Sequence, residues 1–205
     1  MPLVPRPSKI VCIGRNYAEH ARELGNAVPD SEPLFFLKPP SSLIGTGDAI
    51  VLPPQSSQVE HEGEIAVLIG STLRHASEAE ARRAVRAIVA LNDITARDLQ
   101  RKDSQWTRAK GFDTFCAVGE PFFGEVDLAN IEVITRVNGA ERQRGNSSQM
   151  VFSIPFCLSF ISHIMTLEPG DLVATGTPAG VGRLSSGDQV EVELVGISTV
   201  RNPVV

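Results

Sequence analysis

Most apolar residues of this chain fall in short runs bounded by glycine, proline or aspartate. Runs of this length that are rich in Val and Ile are typical of buried β-strands. Three of them follow a Gly-Asp pair, which indicates a tight turn leading into a strand. The strands predicted in this way are Lys9–Gly14, Leu34–Pro40, Ala49–Leu52, Ile65–Gly70, Ile131–Val137, Leu172–Ala174 and Gln189–Leu194.

A smaller part of the chain has helical spacing. Ser77 is a good N-cap, and the apolar residues after it recur at three- and four-residue intervals, which predicts a helix from Glu78 to about Leu91. Asn138-Gly139 predicts a hairpin turn. Many short strands with three or four helices favour an α+β fold that is mainly β. The other predicted helices are Ala18–Leu24, Thr95–Lys102 and Phe152–Met165.

Composition narrows the class of protein. The chain has 205 residues, of which 42% are hydrophobic and 21% charged, so we expect one domain covering residues 1–205. Its net charge of -5 argues against nucleic-acid binding, and no apolar run approaches the roughly 20 residues that cross a bilayer. Cys12, Cys116 and Cys157 lack metal-ligand spacing and are predicted to be buried thiols of a cytoplasmic protein.

The most informative motif is His61-Glu62-Gly63-Glu64 at the start of a predicted strand. Residues two apart on a strand share a face, so the carboxylates of Glu62 and Glu64 project together and repel each other unless a cation lies between them. Asp93 follows an apolar, helix-like run in which a lone charge is costly. Alternating acids are often only a solvated face, but three acids without an obvious basic partner favour Mg²⁺ or Mn²⁺. His61 points to the opposite face and is expected to have a supporting role.

Two polar pairs have helical spacing. His20 and Glu23 share a helix face and form either a surface ion pair or a general base whose imidazole is oriented by a carboxylate. Arg97 and Gln100 could reach a substrate carboxylate or pair with each other at the surface, and spacing alone does not decide between these alternatives.

Two further segments carry candidate chemistry. Lys110 lies among aromatic residues and is either a lysine reaching from the edge of the core or a cation that stabilises enolate charge. The glycine-rich loop Thr175–Gly182 lacks the Gly-Lys-Ser/Thr ending of a phosphate-binding loop, but its backbone N–H groups can bind a carboxylate.

Taken in order along the chain, these motifs closely resemble the fumarylacetoacetate hydrolase superfamily, and in particular its short, single-domain acylpyruvate hydrolase branch. Any one motif alone is weak, whereas the ordered set is highly specific. The segments that carry the resemblance are Ile13–His20, Phe36–Pro39, His61–Glu64, Asn92–Asp98, Ala109–Phe115, Thr175–Gly182 and Arg201–Val205.

The resemblance implies a fumarylacetoacetase-type β-sandwich or β-roll core, a homodimer, and no N-terminal extra domain. It implies that Mg²⁺ or Mn²⁺ is the cofactor, with no organic cofactor, and that His20 and Glu23 lie on a lid segment. Gly63 departs from the larger residue common in the family and is expected to loosen its strand slightly. The implied metal ligands are Glu62, Glu64 and Asp93, the implied catalytic residues are His20, Glu23 and Lys110, and the implied substrate-binding residues are Arg97, Gln100, Lys110 and Thr177.

The expected activity is hydrolysis of a C–C bond in 2,4-dioxo acids such as acylpyruvates, through a metal-stabilised pyruvate enolate. Decarboxylation of oxaloacetate would make the same enolate without an attacking water. One alternative is an isomerase or decarboxylase acting on 2-hydroxyhepta-2,4-diene-1,7-dioate. Another is a catalytically silent metal-binding dimer, although His20, Glu23 and Lys110 together argue against it.

Overall fold

The computed structural model describes residues 6–205, which form fourteen strands, five helices and two short 3₁₀ turns. The helices are α1 (Ala18–Glu23), α2 (Glu78–Ala84), α3 (Arg97–Lys102), α4 (Thr107–Lys110) and α5 (Ile154–Ser162). The strands are β1 (Ile10–Gly14), β2 (Leu34–Lys38), β3 (Leu43–Gly45), β4 (Val59–His61), β5 (Gly63–Ile69), β6 (Val85–Asp93), β7 (Thr95–Ala96), β8 (Cys116–Val118), β9 (Glu132–Val137), β10 (Ala140–Asn146), β11 (Leu172–Ala174), β12 (Gly182–Arg183), β13 (Gln189–Leu194) and β14 (Ser198–Pro203).

These strands form three sheets. A mixed seven-stranded sheet has the order β2-β1-β11-β5-β6-β8-β3, and a four-stranded antiparallel sheet has the order β10-β9-β13-β14. The four-stranded sheet packs on the central strands β5 and β6 of the large sheet. A small sheet, β12-β4-β7, lies where the chain enters β5 and leaves β6. The predicted fold class, α+β and mainly β, is confirmed.

Both faces of the central strands are buried. Along β5, Ile65, Val67 and Ile69 belong to the main core between the sheets, whereas Ala66 and Leu68 belong to a second apolar cluster on the opposite face. A strand covered on both sides has no solvated face, so the alternation of polar and apolar residues disappears from its sequence. A charged side chain placed in this region therefore requires a specific partner.

Most of the predicted elements are confirmed. The predicted turn at Asn138-Gly139 joins β9 to β10, and both residues have positive φ angles, 53° and 78°, as a type I′ hairpin turn requires. The predicted helix at 152–165 is confirmed as α5, which Ser153 caps by accepting a hydrogen bond from the backbone N–H of Phe156. The three cysteines are buried free thiols, as predicted. Among residues 6–205, no helix has the length and apolarity needed to span a membrane.

The predicted helix from Glu78 to Leu91 is wrong in its second half. Helix α2 ends at Ala84, and the chain continues as the nine-residue strand β6. The β-branched residues Val85, Ile88 and Val89 suit a strand, and β6 is paired on both sides, with β5 and with β8. Asp93 therefore ends a central strand instead of following a helix.

Two shorter predictions also need correction. Residues 49–52 form no strand; Ile50 alone makes an isolated bridge to Val204. In the predicted helix 95–102, Thr95–Ala96 is the short strand β7, and the helix begins only at Arg97. In both places the backbone pairs with a remote segment, Ile50 with Val204 and β7 with β4.

Gly63, which was expected to loosen its strand slightly, has a packing role in the structure. A Cβ atom at this position would lie 1.9 Å from the hydroxyl oxygen of Thr135 on β9 and 3.2 Å from a methyl carbon of Val192 on β13. The absence of a side chain is what lets the four-stranded sheet approach β5. Gly63 is thus a close-packing position next to the two candidate metal ligands.

We predict that Gly63→Ala lowers the free energy of unfolding by about 1–3 kcal/mol, because it overpacks this contact. Thr135→Ala removes the colliding hydroxyl, so the double variant should recover more than half of the loss. Chemical denaturation of the wild type, both single variants and the double variant gives the coupling energy. Additive effects of the two substitutions would contradict the predicted collision.

Candidate active site

The three acids predicted to bind a metal converge at one end of the large sheet. Glu62 joins β4 to β5, Glu64 is the second residue of β5, and Asp93 is the last residue of β6. Gly63 pairs with Asn92 across the two strands, and the backbone N–H of Asp93 donates to the carbonyl of Glu62 over 2.8 Å. One carboxylate oxygen from each acid lies within 4.8 Å of the others, and all three side chains are buried.

Contrary to the expectation from the sequence, the cluster has basic partners. The Lys110 ammonium donates to Glu62 and to Asp93, at 2.7 Å each, and that of Lys38 donates to Asp93 over 2.5 Å. Arg97 donates to Glu62 over 2.5 Å. None of these cations is adjacent to the acids in sequence, and strand pairing and helix docking bring them into contact.

Glu64 is the acid that these cations do not contact. Its carboxylate accepts a hydrogen bond of 2.8 Å from the backbone N–H of Gly176, in the glycine-rich loop. Gly176 has a φ of 100° and its Cα faces Asn16, so only glycine fits there. Burial, together with the charges of Asp93 and Glu62, raises the pKa of Glu64 well above its ordinary value.

For Glu62 and for Lys110, the neighbouring charges shift the pKa in the direction opposite to burial, and they outweigh it. Burial would raise the pKa of Glu62, but Lys110 and Arg97 outweigh it, so that pKa is lowered far below its ordinary value. Burial would lower the pKa of Lys110, yet Asp93 and Glu62 raise it above its ordinary value. The raised pKa favours the ammonium form of Lys110, which also lies 4.9 Å from the ring centroid of Phe36.

His20 and Glu23 are brought to the same cavity by α1. Nδ1 of His20 lies 3.3 Å from the Glu23 carboxylate, which also accepts the backbone N–H of Gly180. A neutral imidazole that donates from Nδ1 keeps its lone pair on Nε2. Burial lowers the pKa of His20, and the nearby Glu62 and Glu23 only partly offset this effect. The ring is therefore neutral near pH 7, as a general base must be.

Arg97 and Gln100 lie together on α3, at the cavity wall. The guanidinium of Arg97 donates to Glu60, Glu62 and Gln100, at 2.7, 2.5 and 2.6 Å. Arg97 is fully buried and orients Glu62. Its role in substrate binding stays a prediction.

Thr177 also lines the cavity. Its hydroxyl donates to the carbonyl of Gly63 and accepts from the amide of Gln143, which also binds His61. His61 faces away from the acids, as expected from strand alternation. Gln143 thus links the start of β5 to the glycine-rich loop. It was not predicted from the sequence, because it lies on the remote strand β10.

One cavity unites these groups. Eight of the nine predicted site residues line it, and the ninth, Glu23, reaches it through His20. Sequence analysis did not identify Arg15, Phe36 and Trp106 as part of this wall, although Arg15 and Phe36 lie in segments that carry the family resemblance. The free volume is about 30 Å³, enough for roughly two water molecules. Three convergent carboxylates provide the hard oxygen ligands that Mg²⁺ and Mn²⁺ prefer, so these residues fit a divalent cation.

The geometry defines a carboxylate-lined candidate metal centre in a mainly β fold. The family model "Fumarylacetoacetate (FAA) hydrolase C-terminal" matches residues 9–205, so the chain belongs to the fumarylacetoacetate hydrolase family. The resemblance predicted from the sequence is thereby confirmed.

Similar proteins carry several related activities. A mitochondrial oxaloacetate decarboxylase of Dictyostelium discoideum is 44% identical over 93% of this chain and 89% of its own length. A 2-hydroxyhepta-2,4-diene-1,7-dioate isomerase from Mycobacterium marinum is 43% identical, with a TM-score of 0.90 over 98% of this chain and 75% of that one. Fumarylpyruvate hydrolase from Pseudomonas aeruginosa, in complex with Mn²⁺ and pyruvate, is 30% identical, with a TM-score of 0.92 over 97% and 90%.

Proposed function

We propose that the protein is a metal-dependent hydrolase that cleaves a C–C bond of 2,4-dioxo acids such as acylpyruvates. The observation that carries this proposal is the meeting of two different groups in one cavity. One is the buried set Glu62, Glu64 and Asp93, and the other is the neutral His20 oriented by Glu23. The first suits a hard cation, and the second suits activation of a water molecule.

Glu62, Glu64 and Asp93 would hold Mg²⁺ or Mn²⁺, which when bound polarises the 2-oxo group and accepts part of the enolate charge. The hydrolase from Pseudomonas aeruginosa supports Mn²⁺ as one such ion. The protein's own contribution is to keep the three carboxylates together. Arg97 orients Glu62 and Gly176 orients Glu64 through the contacts described above.

In this mechanism Nε2 of His20 takes a proton from water, which attacks the distal carbonyl carbon of the substrate. Glu23 holds the Nδ1 proton and stabilises the imidazolium that forms. The C–C bond then breaks and its electron pair passes to the pyruvate fragment as an enolate. Lys110, held as an ammonium in the same cavity, offsets the charge on the enolate oxygen. Protonation of the enolate carbon releases pyruvate.

His20, on α1, and Leu24, which directly follows it, form part of the cavity wall. The family resemblance implies that this segment is a lid, and its position at the cavity is compatible with that role.

Acetylpyruvate provides the direct test of the proposal. Its ultraviolet absorbance should fall when enzyme and Mg²⁺ are both present, and pyruvate should appear in equal amount. Addition of a chelator should stop the reaction, and excess Mn²⁺ should restore it. Absorbance loss that the chelator leaves unchanged would overturn the assignment of a metal-dependent hydrolase.

Decarboxylation of oxaloacetate is a second proposed activity, favoured by the relative from Dictyostelium discoideum. It yields the same pyruvate enolate but needs no attacking water, so Lys110 would serve both reactions and His20 only one. The isomerase from Mycobacterium marinum favours a third, proton transfer within a dienol diacid. Comparing kcat/KM for the three substrate types decides which activity dominates.

The lowered pKa of His20 predicts the pH profile of hydrolysis. A base is active only when deprotonated, so the rate should fall as the pH drops through the pKa of His20. Because burial lowers that pKa, the acid limb should lie below the ordinary histidine value of about 6.5. The measurement is kcat/KM for acetylpyruvate between pH 5 and 8 at saturating Mg²⁺. An acid limb above that value would contradict the assignment of His20 as the base.

A further inference from the structure

A second cavity lies outside the candidate active site, and no residue lines both. Its volume is about 710 Å³, a size that is typical of pockets for small molecules. It is lined by the end of α2, the start of β6 and residues 123–128. We call it the arginine groove, and its charged and aromatic lining consists of Arg82, Arg83, Arg86, Phe123, Glu125 and Asp127.

The arginine groove brings three guanidinium groups together. Arg82 and Arg83 lie in the last turn of α2, and Arg86 follows near the start of β6. Among residues 6–205 no carboxylate makes an ion pair with any of the three, and residues 1–5 contain no acidic side chain. Their charges are therefore available to a ligand.

Two acids also line the groove, and they leave the balance of charge positive. Asp127 accepts the backbone N–H of Ala129 over 3.1 Å, which closes its own turn. Glu125 is exposed to solvent. The three guanidinium groups thus outnumber the carboxylates, and the excess of positive charge favours an anionic ligand.

Arg86 is directed into the groove by an irregularity of the large sheet. The register between β5 and β6 shifts at Leu68/Ile69, and Arg86 is left without a partner on β5, as in a β-bulge. A Cβ atom at Gly70 would lie 2.7 Å from the Cβ of Arg86, so this glycine makes room for the start of the side chain. β-Bulges commonly redirect a side chain, and this one places a guanidinium in the groove.

An aromatic ring lies beside this guanidinium. The central carbon of Arg86 is 5.7 Å from the ring centroid of Phe123, which is 61% exposed. The backbone next to the ring is fixed, because Phe122 exchanges two hydrogen bonds with Ile88 of β6, at 2.9 and 3.0 Å. The ring is therefore positioned by the sheet while most of its surface stays free. Aromatic rings and guanidinium planes are the groups on which nucleobases stack.

We propose that the arginine groove is a binding site for a nucleotide, with the phosphates at Arg82, Arg83 and Arg86 and the base stacked on Phe123. A planar guanidinium donates paired N–H bonds that match phosphate oxygens, and three such groups suit the charge of a nucleoside diphosphate. The exposed ring adds a contact that an inorganic anion cannot use. The inference does not depend on the proposed hydrolase activity, because the two cavities share no residue.

ADP is the probe for this site, and adenosine and pyrophosphate represent its two parts. Calorimetric titrations use metal-free protein with a chelator present, so that a cation at the three acids cannot hold the phosphates. ADP should bind one site per chain. Each part should bind at least about 10-fold more weakly, because adenosine lacks the charged hydrogen bonds and pyrophosphate lacks the stacking.

Single substitutions assign the binding to the groove. Arg86→Gln should weaken ADP and pyrophosphate alike, by about 10-fold or more. Phe123→Ala should weaken ADP by at least about fivefold and change pyrophosphate by less than about threefold. Arg108→Gln makes the same chemical change at an exposed arginine that is paired with Asp103 outside the groove, and should leave ADP binding unchanged.

Several results would overturn the proposal. They are no saturable binding of ADP by the wild type, pyrophosphate binding as tight as that of ADP, unchanged ADP affinity in either Arg86→Gln or Phe123→Ala, and an equal loss in Arg108→Gln. None of these outcomes depends on whether acetylpyruvate is cleaved, so the nucleotide site and the hydrolase assignment fail separately.

Discussion

The Glu64→Gln variant should lose activity on acetylpyruvate by at least about 10²–10³-fold, and yet its metal-free form should melt at a higher temperature than the wild type. Both effects have one cause. Glu64 is buried beside Asp93 and Glu62, and among residues 6–205 its carboxylate has no ion pair with a lysine or arginine; its hydrogen bond comes from Gly176. An amide of the same shape can keep the hydrogen bond from Gly176 while removing the repulsion among the carboxylates. The same change removes one of the three carboxylate charges that would bind Mg²⁺.

Thermal melts with and without Mg²⁺ measure the two effects separately. The wild type should gain about 2.7 kcal/mol when Mg²⁺ is present at 100 times its Kd, and Glu64→Gln should gain almost nothing. In a chain of this size about 1 kcal/mol corresponds to a shift of about 2–4 °C. Glu120→Gln makes the same chemical change at an exposed site and should resemble the wild type. A Glu64→Gln protein that keeps its Mg²⁺ shift and its activity would refute the metal centre.

The His20→Ala variant should lose hydrolysis of acetylpyruvate by about 10²–10⁴-fold while retaining a substantial part of oxaloacetate decarboxylation. Hydrolysis needs a base to activate water, whereas decarboxylation releases CO₂ without one. Lys110 and the three acids are unchanged in this variant, so stabilisation of the enolate persists. Steady-state rates for both substrates at one Mg²⁺ concentration give the ratio of the two losses.

The exposed His163 offers a matched control, because His163→Ala removes an imidazole far from the cavity lining. That variant should keep both activities. If His20→Ala leaves both activities intact, the base is another group. Equal loss of both with unchanged Mg²⁺ binding would indicate that α1 closes the cavity rather than activates water.

How far the sequence alone reaches is clearest at Glu62 and Glu64. Their common face follows from the two-residue period of a strand, a local property of the chain. Asp93 was correctly grouped with them, but its predicted setting after a helix was wrong. Where both faces of a strand are buried, as in β6, apolar residues are nearly continuous, and helix and strand cannot be told apart by periodicity. Pairing with β5, about 25 residues earlier, decided the outcome.

The ion pairs that neutralise Glu62 and Asp93 could not be predicted from the sequence, for a related reason. Lys38 lies 55 residues from Asp93 along the chain, and Lys110 lies 48 from Glu62, yet both make buried ion pairs with these acids. Such contacts depend on where β2 and α4 dock. The same holds for Gly63, whose small size matters only because Thr135 on another sheet lies against it.

By itself the sequence determined the mainly β class, the family, the shared face of Glu62 and Glu64, and the pairing of His20 with Glu23. These depend on short-range periodicity, on helix spacing and on the order of the motifs. Only the tertiary structure decided that Lys38, Lys110 and Arg97 pair with Glu62 and Asp93 but not with Glu64, and that Arg15 lines the cavity. Electrostatic partners are chosen by distance in space, and that distance is fixed only when remote strands and helices pack together.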